Sequence, residues 1–310
     1  MEDLFIMQFD HFSITPPNPI FISIAGTSIH WYAILIMTGV ALAVLASRRE
    51  GKKKGFDPEL FMDLLLVGLP LSILGARLYF VLFNNLAWYL ANPSRILAIR
   101  DGGLAIHGAV IAAGVYAWWI LKKKNIPILP ILDIVAVGFF IGQIIGRFGN
   151  FMNQEAHGHA INLPTLDAQR EFLTNLLIPN FIVNGMFING NYYHPTFLYE
   201  ALWNVVGLCL AVFILRRLKN ILTGEIAAFY AIWYSFGRIF IESMRTDSLM
   251  LGSLRIAQVI SITSIIIIGG LMIYRRIKKI EIITYADFNI DAYNRLKKQN
   301  KTKKKNLNKR

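Results

Sequence analysis

The chain has 310 residues, of which 55% are hydrophobic and only 16% are charged, whereas soluble domains contain roughly 25% charged residues. This composition excludes ordinary soluble domains and indicates a membrane protein, and the single cysteine, Cys209, excludes a disulfide framework and a cysteine-rich metal site. The formal net charge of +13 would suit nucleic-acid binding, but the positions of the basic residues, described below, argue against it.

The first residues, Met1 to Asp10, include acids and no basic stretch ahead of an apolar core. We therefore expect no cleavable signal peptide, so the first apolar run stays in the mature protein. Seven apolar runs are long enough to cross about 30 Å of hydrocarbon as helices. They are Phe21–Ala46, Leu60–Phe83, Leu104–Leu121, Ile128–Gly149, Pro195–Leu215, Glu225–Ile241 and Ile256–Tyr274. The sequence therefore predicts an all-α integral membrane protein with about seven transmembrane helices.

Basic clusters follow the first, third, fifth and seventh runs and fill the C-terminal tail, and together they hold 24 of the 32 Lys and Arg. All 24 lie on one side if the chain crosses seven times. Because basic loops stay cytoplasmic, we expect the N-terminus outside and the C-terminus in the cytoplasm. The long polar segment at about residues 150–194 should then form an extracytoplasmic loop cap.

The predicted organisation is one polytopic membrane domain over residues 1–280, followed by a basic cytoplasmic tail over residues 281–310. The Lys- and Asn-rich part from Arg295 to Arg310 is expected to be disordered. Such a tail favours anionic lipid of the inner leaflet over nucleic acid.

The eight remaining basic residues are all arginine. A set of arginines on the outer side needs an explanation, because positive charge is normally depleted there. They are Arg77, Arg95, Arg100, Arg147, Arg170, Arg238, Arg245 and Arg255. A charge at the centre of a membrane helix costs roughly 2.5–3.5 kcal/mol, so such residues usually face a polar interior. One explanation is pairing with Glu or Asp between helices. The other is an anion site, because the guanidinium fork matches phosphate oxygens.

Residues Gly142 to Gly158 read GQIIGRFGNFMNQEAHG and form the most distinctive segment. Gly138, Gly142 and Gly146 recur every four residues, which leaves one helix face open to a close neighbour. Arg147 and Asn150 share a helix face. The polar run then continues through Asn153, Gln154, Glu155 and His157. A helix end with solvated polar residues is the plainer interpretation, but an arginine at membrane depth between two glycines favours a binding site.

The sixth run carries a second polar stripe, in which Tyr234, Arg238 and Glu242 recur every four residues and Arg245 follows. An intrahelical Arg238–Glu242 ion pair is the plainer interpretation, and it is compatible with a site. Further polar residues lie at the outer ends of the other runs. They are His30-Trp31-Tyr32, Asp101-Gly102-Gly103 with His107-Gly108, and His194-Pro195 with Leu198-Tyr199-Glu200. A lone histidine is more often structural, but His107 beside glycines would be accessible for proton transfer.

These residues closely resemble one family, the prolipoprotein diacylglyceryl transferases of bacteria. The family signature is similar to G-R-x-G-N-F-x-N-x-E-x-x-G, which this chain carries from Gly146 to Gly158. The motifs of the first, third, fifth and sixth runs also match in the same order, so the resemblance covers roughly Phe21 to Tyr274. The chain departs from the family in its basic tail and in a modest loop between Gly158 and His194, which bears on how a substrate peptide docks.

The resemblance implies that phosphatidylglycerol donates its diacylglyceryl group to the lipobox cysteine of a prolipoprotein. A thioether forms and glycerol-1-phosphate leaves, which is the first step of lipoprotein maturation. The substrate supplies the thiol nucleophile, so Cys209 would be an ordinary core residue. The catalytic candidates are His107 as base, with Arg147 and Arg238 at the phosphate. The candidates for phosphatidylglycerol binding are Arg147, Asn150, Tyr32, Tyr234, Glu155, Glu242, Arg245, Arg77 and His194.

The resemblance also implies the setting of the reaction. The partners are phosphatidylglycerol, a prolipoprotein signal peptide and the lipid bilayer, without nucleic acid, metal or cofactor. We expect a monomer in the bacterial cytoplasmic membrane, with its active site toward the outer face. Two alternatives stay open: a transporter or channel for an anionic solute, with the arginines as its selectivity site, and a transferase of another lipid headgroup.

Overall fold

The computed structural model describes residues 8–9, 12–13, 17–24, 27–99, 102–246, 250–252, 254–280 and 283–307. The described residues are mostly helical. Their helices are α1 (Trp31–Lys53), α2 (Glu59–Asn84), α3 (Leu86–Ala91), α4 (Ile106–Lys123), α5 (Ile128–Met152), α6 (Leu166–Asn175), α7 (Asn180–Gly185), α8 (Thr196–Cys209), α9 (Glu225–Met244), α10 (Ile256–Ile277) and α11 (Ile290–Leu307).

The strands of the described residues pair only as short antiparallel hairpins. The hairpins are β1 (Gln8–Phe9) with β2 (Phe12–Ser13), β3 (Ile20–Ile24) with β4 (Thr27–His30), β5 (Phe187–Ile188) with β6 (Asn191–Tyr192), and β7 (Met250–Leu251) with β8 (Leu254–Arg255). The architecture is therefore helical, with hairpins confined to connections.

Five helices in the described residues are long and apolar enough to cross a membrane. They are α1, α2, α5, α10 and α8 together with its continuation to Arg217. The other two predicted runs also form helices, α4 and α9, but polar residues such as His107 and Arg238 lower their hydropathy. The chain is thus an all-α membrane protein.

The first predicted run, Phe21–Ala46, was placed too early. The β3–β4 hairpin occupies its first part, and α1 begins only at Trp31 and continues to Lys53. Isoleucine occupies every second position of β3 and threonine begins β4, and β-branched residues favour strands. Hydropathy alone did not separate this apolar strand pair from the helix that follows it.

The C-terminal part of α8 departs from regular α-helix. It continues as a π-helical stretch, Leu210–Ile214, and a 3-10 turn, Leu215–Arg217. Cys209 lies where the α-helix ends and is exposed on the isolated chain, so the expectation of an ordinary core residue was wrong.

The chain divides into two compact units. The first unit comprises Met1–Ala43 with Val135–Ala286, and the second comprises Val44–Ile134 with Asp287–Arg310. In the first unit, side chains between Phe151 and Phe197 form one hydrophobic cluster, in which Leu173 and Val183 are fully buried. Another joins α5, α9 and the segment after α10 through Phe140, Ile226 and Tyr285.

The tail from Arg295, expected to be disordered, is helical as far as Leu307, and residues 308–310 lie outside the described residues. In the second unit, Phe288 stacks on Phe56 with ring centroids 5.8 Å apart, and the amide of Ile290 donates to the carbonyl of Lys54 at 3.0 Å. These contacts anchor the start of α11, which runs to Leu307. The prediction from the basic composition overlooked the buried apolar residues that precede this stretch.

Candidate functional site

Helix α5 presents Arg147 and Asn150 near its end, where α1 packs closely against it. A Cβ on Gly39 of α1 would lie 3.4 Å from the Cα of Gly142, so the two backbones are in contact there. A Cβ on Gly149 would lie 2.8 Å from the ring of Tyr32. These glycines let the second residue of α1, Tyr32, pack directly beside the polar end of α5.

Arg147 begins a chain of polar contacts along that end of α5. One guanidinium nitrogen donates to Asn150 Oδ1 at 3.4 Å, and Asn150 Nδ2 donates to Glu155 Oε1 at 3.0 Å. Asn153 Nδ2 donates to the same carboxylate oxygen at 3.4 Å. Glu155 therefore acts on Arg147 through Asn150, and this chain orients the guanidinium.

Helix α8 supplies Glu200, a carboxylate that is only 4% exposed. Its Oε2 pairs with Arg147 Nη2. Its Oε1 lies 3.0 Å from Arg238 Nη1 and 4.0 Å from Arg245 Nη1. One buried carboxylate thus joins three arginines: one on α5, one on α9 and one directly after α9.

Glu242 completes the cluster from α9. Its Oε2 lies 2.6 Å from Arg238 Nη2, one helical turn away, so the predicted Arg238–Glu242 pair is confirmed. The cluster holds three guanidinium groups and two carboxylates, which gives it a formal charge of +1. Because these groups are largely buried, the excess positive charge is poorly screened and favours a monoanionic ligand.

Two tryptophans fix α8 against α9 at this level. The rings of Trp203 and Trp233 stack with centroids 4.2 Å apart, and each indole N–H donates to the other residue's backbone carbonyl, at 2.9 and 3.0 Å. The indoles lie where a Cβ would stand on Gly237 and on Gly207. This interlock sets the distance between Glu200 on α8 and Arg238 on α9.

A small cavity, about large enough for one water molecule, adjoins the cluster. Its lining includes Tyr234 and Arg238 together with Glu200 and Asn204, and the Oδ1 atom of Asn204 is buried without a hydrogen-bond partner in the described part of the chain. A buried acceptor of this kind is normally satisfied by water or a ligand. The side of the cavity formed by Glu200, Asn204 and Arg238 is therefore polar.

Residues 153–195 of the first unit fold over their own apolar core and are bonded to the end of α9. The amide of His159 donates to the carbonyl of Met244 at 3.0 Å, and Gly158 forms a β-bridge with Arg245. Gly158 is also bonded to His194, because its amide donates to the carbonyl of His194 at 2.9 Å. This folded segment therefore fixes the backbone that carries Arg245.

We expect Gly158→Ala to lower both stability and activity. The new Cβ would lie 2.8 Å from His194 Cβ and 3.2 Å from the carbonyl oxygen of the same residue, so the strands around Arg245 would separate. Forced overpacking typically costs about 1–3 kcal/mol. Thermal unfolding in detergent and turnover should both fall. Gly190→Ala is a poor control because its φ is +87°, whereas Gly146→Ala meets open space and should be tolerated by the fold.

His194 lies just before α8, and its Nδ1 is 3.4 Å from the hydroxyl of Tyr199. Burial lowers the pKa of His194, and the neighbouring His159 lowers it further. The His194 ring is therefore neutral at pH 7 and can accept or donate one hydrogen bond.

The second unit holds the other two predicted site residues, Arg77 and His107. His107 is the second residue of α4 and is exposed, with its ring centroid 5.9 Å from that of Tyr79. Arg77 is buried and donates to backbone carbonyls. Asp101, which belongs to the same predicted motif, lies outside the described residues.

The first unit therefore brings together Arg147, Asn150, Glu155, Arg238, Glu242 and Arg245, with Tyr32 against α5 and Tyr234 lining the cavity. No role in the site was predicted from the sequence for Glu200, Trp203 or Asn204. Glu200 could have been found, because three arginines in apolar helices require a buried carboxylate, and the fifth run carries one. The tryptophan interlock has no such signal, since it depends on how α8 and α9 pack.

Proteins of one family are similar to this chain over most of its length. A family model described as prolipoprotein diacylglyceryl transferase matches residues 19–274. A phosphatidylglycerol–prolipoprotein diacylglyceryl transferase of Bacillus licheniformis is 46% identical over 276 residues, covering 89% of this chain and 98% of the relative. Relatives with the same name from Lysinibacillus sphaericus and Listeria welshimeri are also 46% identical, over 87% and 86% of this chain and 96% and 92% of their own lengths.

Proposed function

Because the chain belongs to the prolipoprotein diacylglyceryl transferase family, we propose that it catalyses the reaction for which its relatives are named. The enzyme transfers the diacylglyceryl group of phosphatidylglycerol to the lipobox cysteine of a prolipoprotein. The cysteine sulfur forms a bond to the terminal glyceryl carbon, and the bond from that carbon to the phosphate oxygen breaks. The thiol proton passes to a base, and glycerol-1-phosphate leaves.

The arginine cluster around Glu200 is the observation that carries this proposal. Its formal charge of +1 matches the single negative charge of a phosphodiester. As the carbon–oxygen bond breaks, the phosphate gains a second negative charge, and fixed guanidinium groups in a site of low dielectric stabilise that charge more than the ground state. Arg147 is the first candidate for contact with the phosphate and Arg238 the second, while Arg245 adds charge.

Other side chains of the first unit would hold the lipid headgroup. Asn150 and Glu155 orient Arg147, and Glu242 orients Arg238. Tyr32, Tyr234 and His194 are proposed to contact the donor lipid, as their places beside α5, in the cavity lining and before α8 allow. Arg77 was also predicted to bind the lipid, but its hydrogen bonds go to backbone carbonyls.

We propose seven spans, with the N-terminus outside and the C-terminus cytoplasmic. The two helices beyond the five most apolar ones support this count, because α4 and α9 expose large apolar residues such as Val110, Val115 and Phe240. Soluble proteins seldom expose many large apolar side chains on one helix. The site would then open toward the outer face of the bacterial cytoplasmic membrane, beneath a cap at residues 150–194, with residues 1–280 as the catalytic domain and 281–310 as the cytoplasmic tail. We propose a monomer.

The direct test supplies purified protein with phosphatidylglycerol vesicles and a lipobox peptide. We expect the peptide cysteine to gain the mass of a diacylglyceryl group and glycerol phosphate to be released in equal amount. A peptide with serine in place of cysteine is the matched control and should gain nothing. Folded protein that gives no thioether, or that moves an anionic solute across vesicles without peptide, would overturn the proposal in favour of a transporter.

His107 is the proposed base for the thiol proton. His107→Gln should lower kcat by about 10²- to 10⁴-fold, the usual contribution of a general base, while phosphatidylglycerol binding is retained. Rates of the wild type and of His107→Gln should be measured between about pH 6 and 9, the range in which the substrate thiol titrates. The thiol titrates in both proteins, so the difference between the two profiles reports on His107. Identical profiles would remove His107 as the base.

A further inference from the structure

Arg77 on α2 has an unusual environment for a buried charge. It is 3% exposed, and in the described residues all four of its hydrogen bonds go to backbone carbonyls. Nε donates to Ile96 at 2.9 Å and Nη2 to Arg95 at 2.7 Å. Nη1 donates to Gly102 at 2.6 Å and to Gly103 at 3.2 Å. Four of the five guanidinium N–H groups are thus used.

The packing around Arg77 leaves little room for a ligand. Its guanidinium carbon lies 5.4 Å from the ring centroid of Tyr89 and 5.8 Å from that of Phe80, which is within cation–π range. A Cβ on Gly103 would lie 2.5 Å from the Phe80 ring and 2.7 Å from Arg77 Nη1, and Gly103 has a φ of +69°. Because one N–H group at most is left over, a lipid phosphate could bind this guanidinium through two hydrogen bonds only by breaking carbonyl contacts.

The carbonyls that Arg77 binds lie in the connection between α3 and α4, two before residue 100 and two after residue 101. This connection ends at the start of α4, where His107 is the second residue. The amide of Ala105 donates to the carbonyl of Ala76 at 3.1 Å, next to Arg77 on α2. One residue after His107, a Cβ on the facing Gly75 would lie 2.6 Å from the carbonyl oxygen of Gly108. The His107 ring packs against Tyr79. In the described part of the chain it makes no side-chain hydrogen bond.

We propose that Arg77 is a positioning residue whose guanidinium sets the place of the His107 ring by fixing the α3–α4 connection to α2. This inference rests on the proposed function, in which His107 is the base, and it replaces the earlier expectation that Arg77 binds the lipid. Apart from its ring contact with Tyr79, the His107 side chain has no partner among the described residues, so its position depends on the backbone on either side. Arg77 fixes one side, and the Gly75–Gly108 contact fixes the other.

The kinetic test is a double-mutant cycle between Arg77→Gln and His107→Gln. Arg77→Gln should lower kcat about tenfold to a hundredfold and leave KM for phosphatidylglycerol unchanged. In the His107→Gln background the same change should lower kcat by less than about threefold, because both changes remove one contribution. Arg77→Lys should not restore the rate, since one ammonium group cannot reach four carbonyls. A raised KM, or losses that multiply, would overturn the proposal.

A second measurement does not depend on catalysis. Diethylpyrocarbonate modifies exposed histidines, and mass spectrometry of the peptide containing His107 gives its rate, with His157 as internal reference. Arg77→Gln should raise the rate at His107 at least about threefold as the ring is released. Arg48→Gln removes a surface ion pair with Glu59 at the start of α2 and should leave the rate unchanged. An unchanged rate in Arg77→Gln would overturn the proposal even if diacylglyceryl transfer is established, and a raised rate would support it even if transfer fails.

Discussion

Replacing Arg147 by alanine should abolish diacylglyceryl transfer, with kcat reduced about 10³-fold and the fold retained. Arg147 is the member of the cluster that both pairs with Glu200 and contacts Asn150. Its removal takes away a guanidinium whose interaction strengthens as the phosphate becomes a leaving group. The loss should therefore fall on kcat more than on KM for phosphatidylglycerol. The measurement is peptide mass gain under saturating lipid.

Two further variants make the Arg147 result specific. Arg147→Lys keeps the charge and loses the planar fork, so it should recover only a small part of the rate. Arg217→Ala removes an exposed arginine at the other end of α8's continuation and should behave as wild type. Full activity of Arg147→Ala, with thermal unfolding unchanged, would remove Arg147 from the centre of the site.

Much of the helix pattern could be predicted from the sequence, because long apolar runs bounded by charge carry their own signal. Six of the seven runs start within two residues of the observed helices, as in α2, which spans Glu59–Asn84. The exception is the first run, whose apolar strands β3 and β4 have the hydropathy of a helix. Hydropathy measures transfer to an apolar phase and does not distinguish strand from helix in a short apolar stretch.

The site could be predicted only in part, for a different reason. An arginine within a membrane-spanning helix carries a free-energy cost whatever its surroundings, so Arg147 and Arg238 could be identified from their positions in apolar runs. The carboxylate that joins them did not, because Glu200 on α8 lies 53 residues from Arg147 and 38 from Arg238 along the chain. Such contacts follow from helix packing. Arg77 also lies within a predicted apolar run, but its donors bind backbone carbonyls and not a carboxylate.

Glu200→Gln should be the most destabilising single change in the cluster, lowering the free energy of unfolding by about 3 kcal/mol. The buried carboxylate is paired with arginines on two helices, and its neutral amide would leave their charges uncompensated. Breaking a buried pair by removing one partner is much more costly than replacing the whole pair. Thermal unfolding in a fixed detergent measures the loss, and Glu171→Gln on the exposed side of α6 is the matched control.

A double variant separates charge balance from geometry. Glu200→Gln raises the formal charge of the cluster from +1 to +2, and adding Arg245→Gln returns it to +1 while Arg147 and Arg238 remain. If charge balance dominates, the double variant should regain about 1 kcal/mol or more of the lost stability, because uncompensated buried charge is the main penalty. Activity should stay low, since Glu200 also holds Arg147 and Arg238 in place for the phosphate. A double variant less stable than Glu200→Gln alone would show that hydrogen-bond geometry, and not net charge, holds the arginines together.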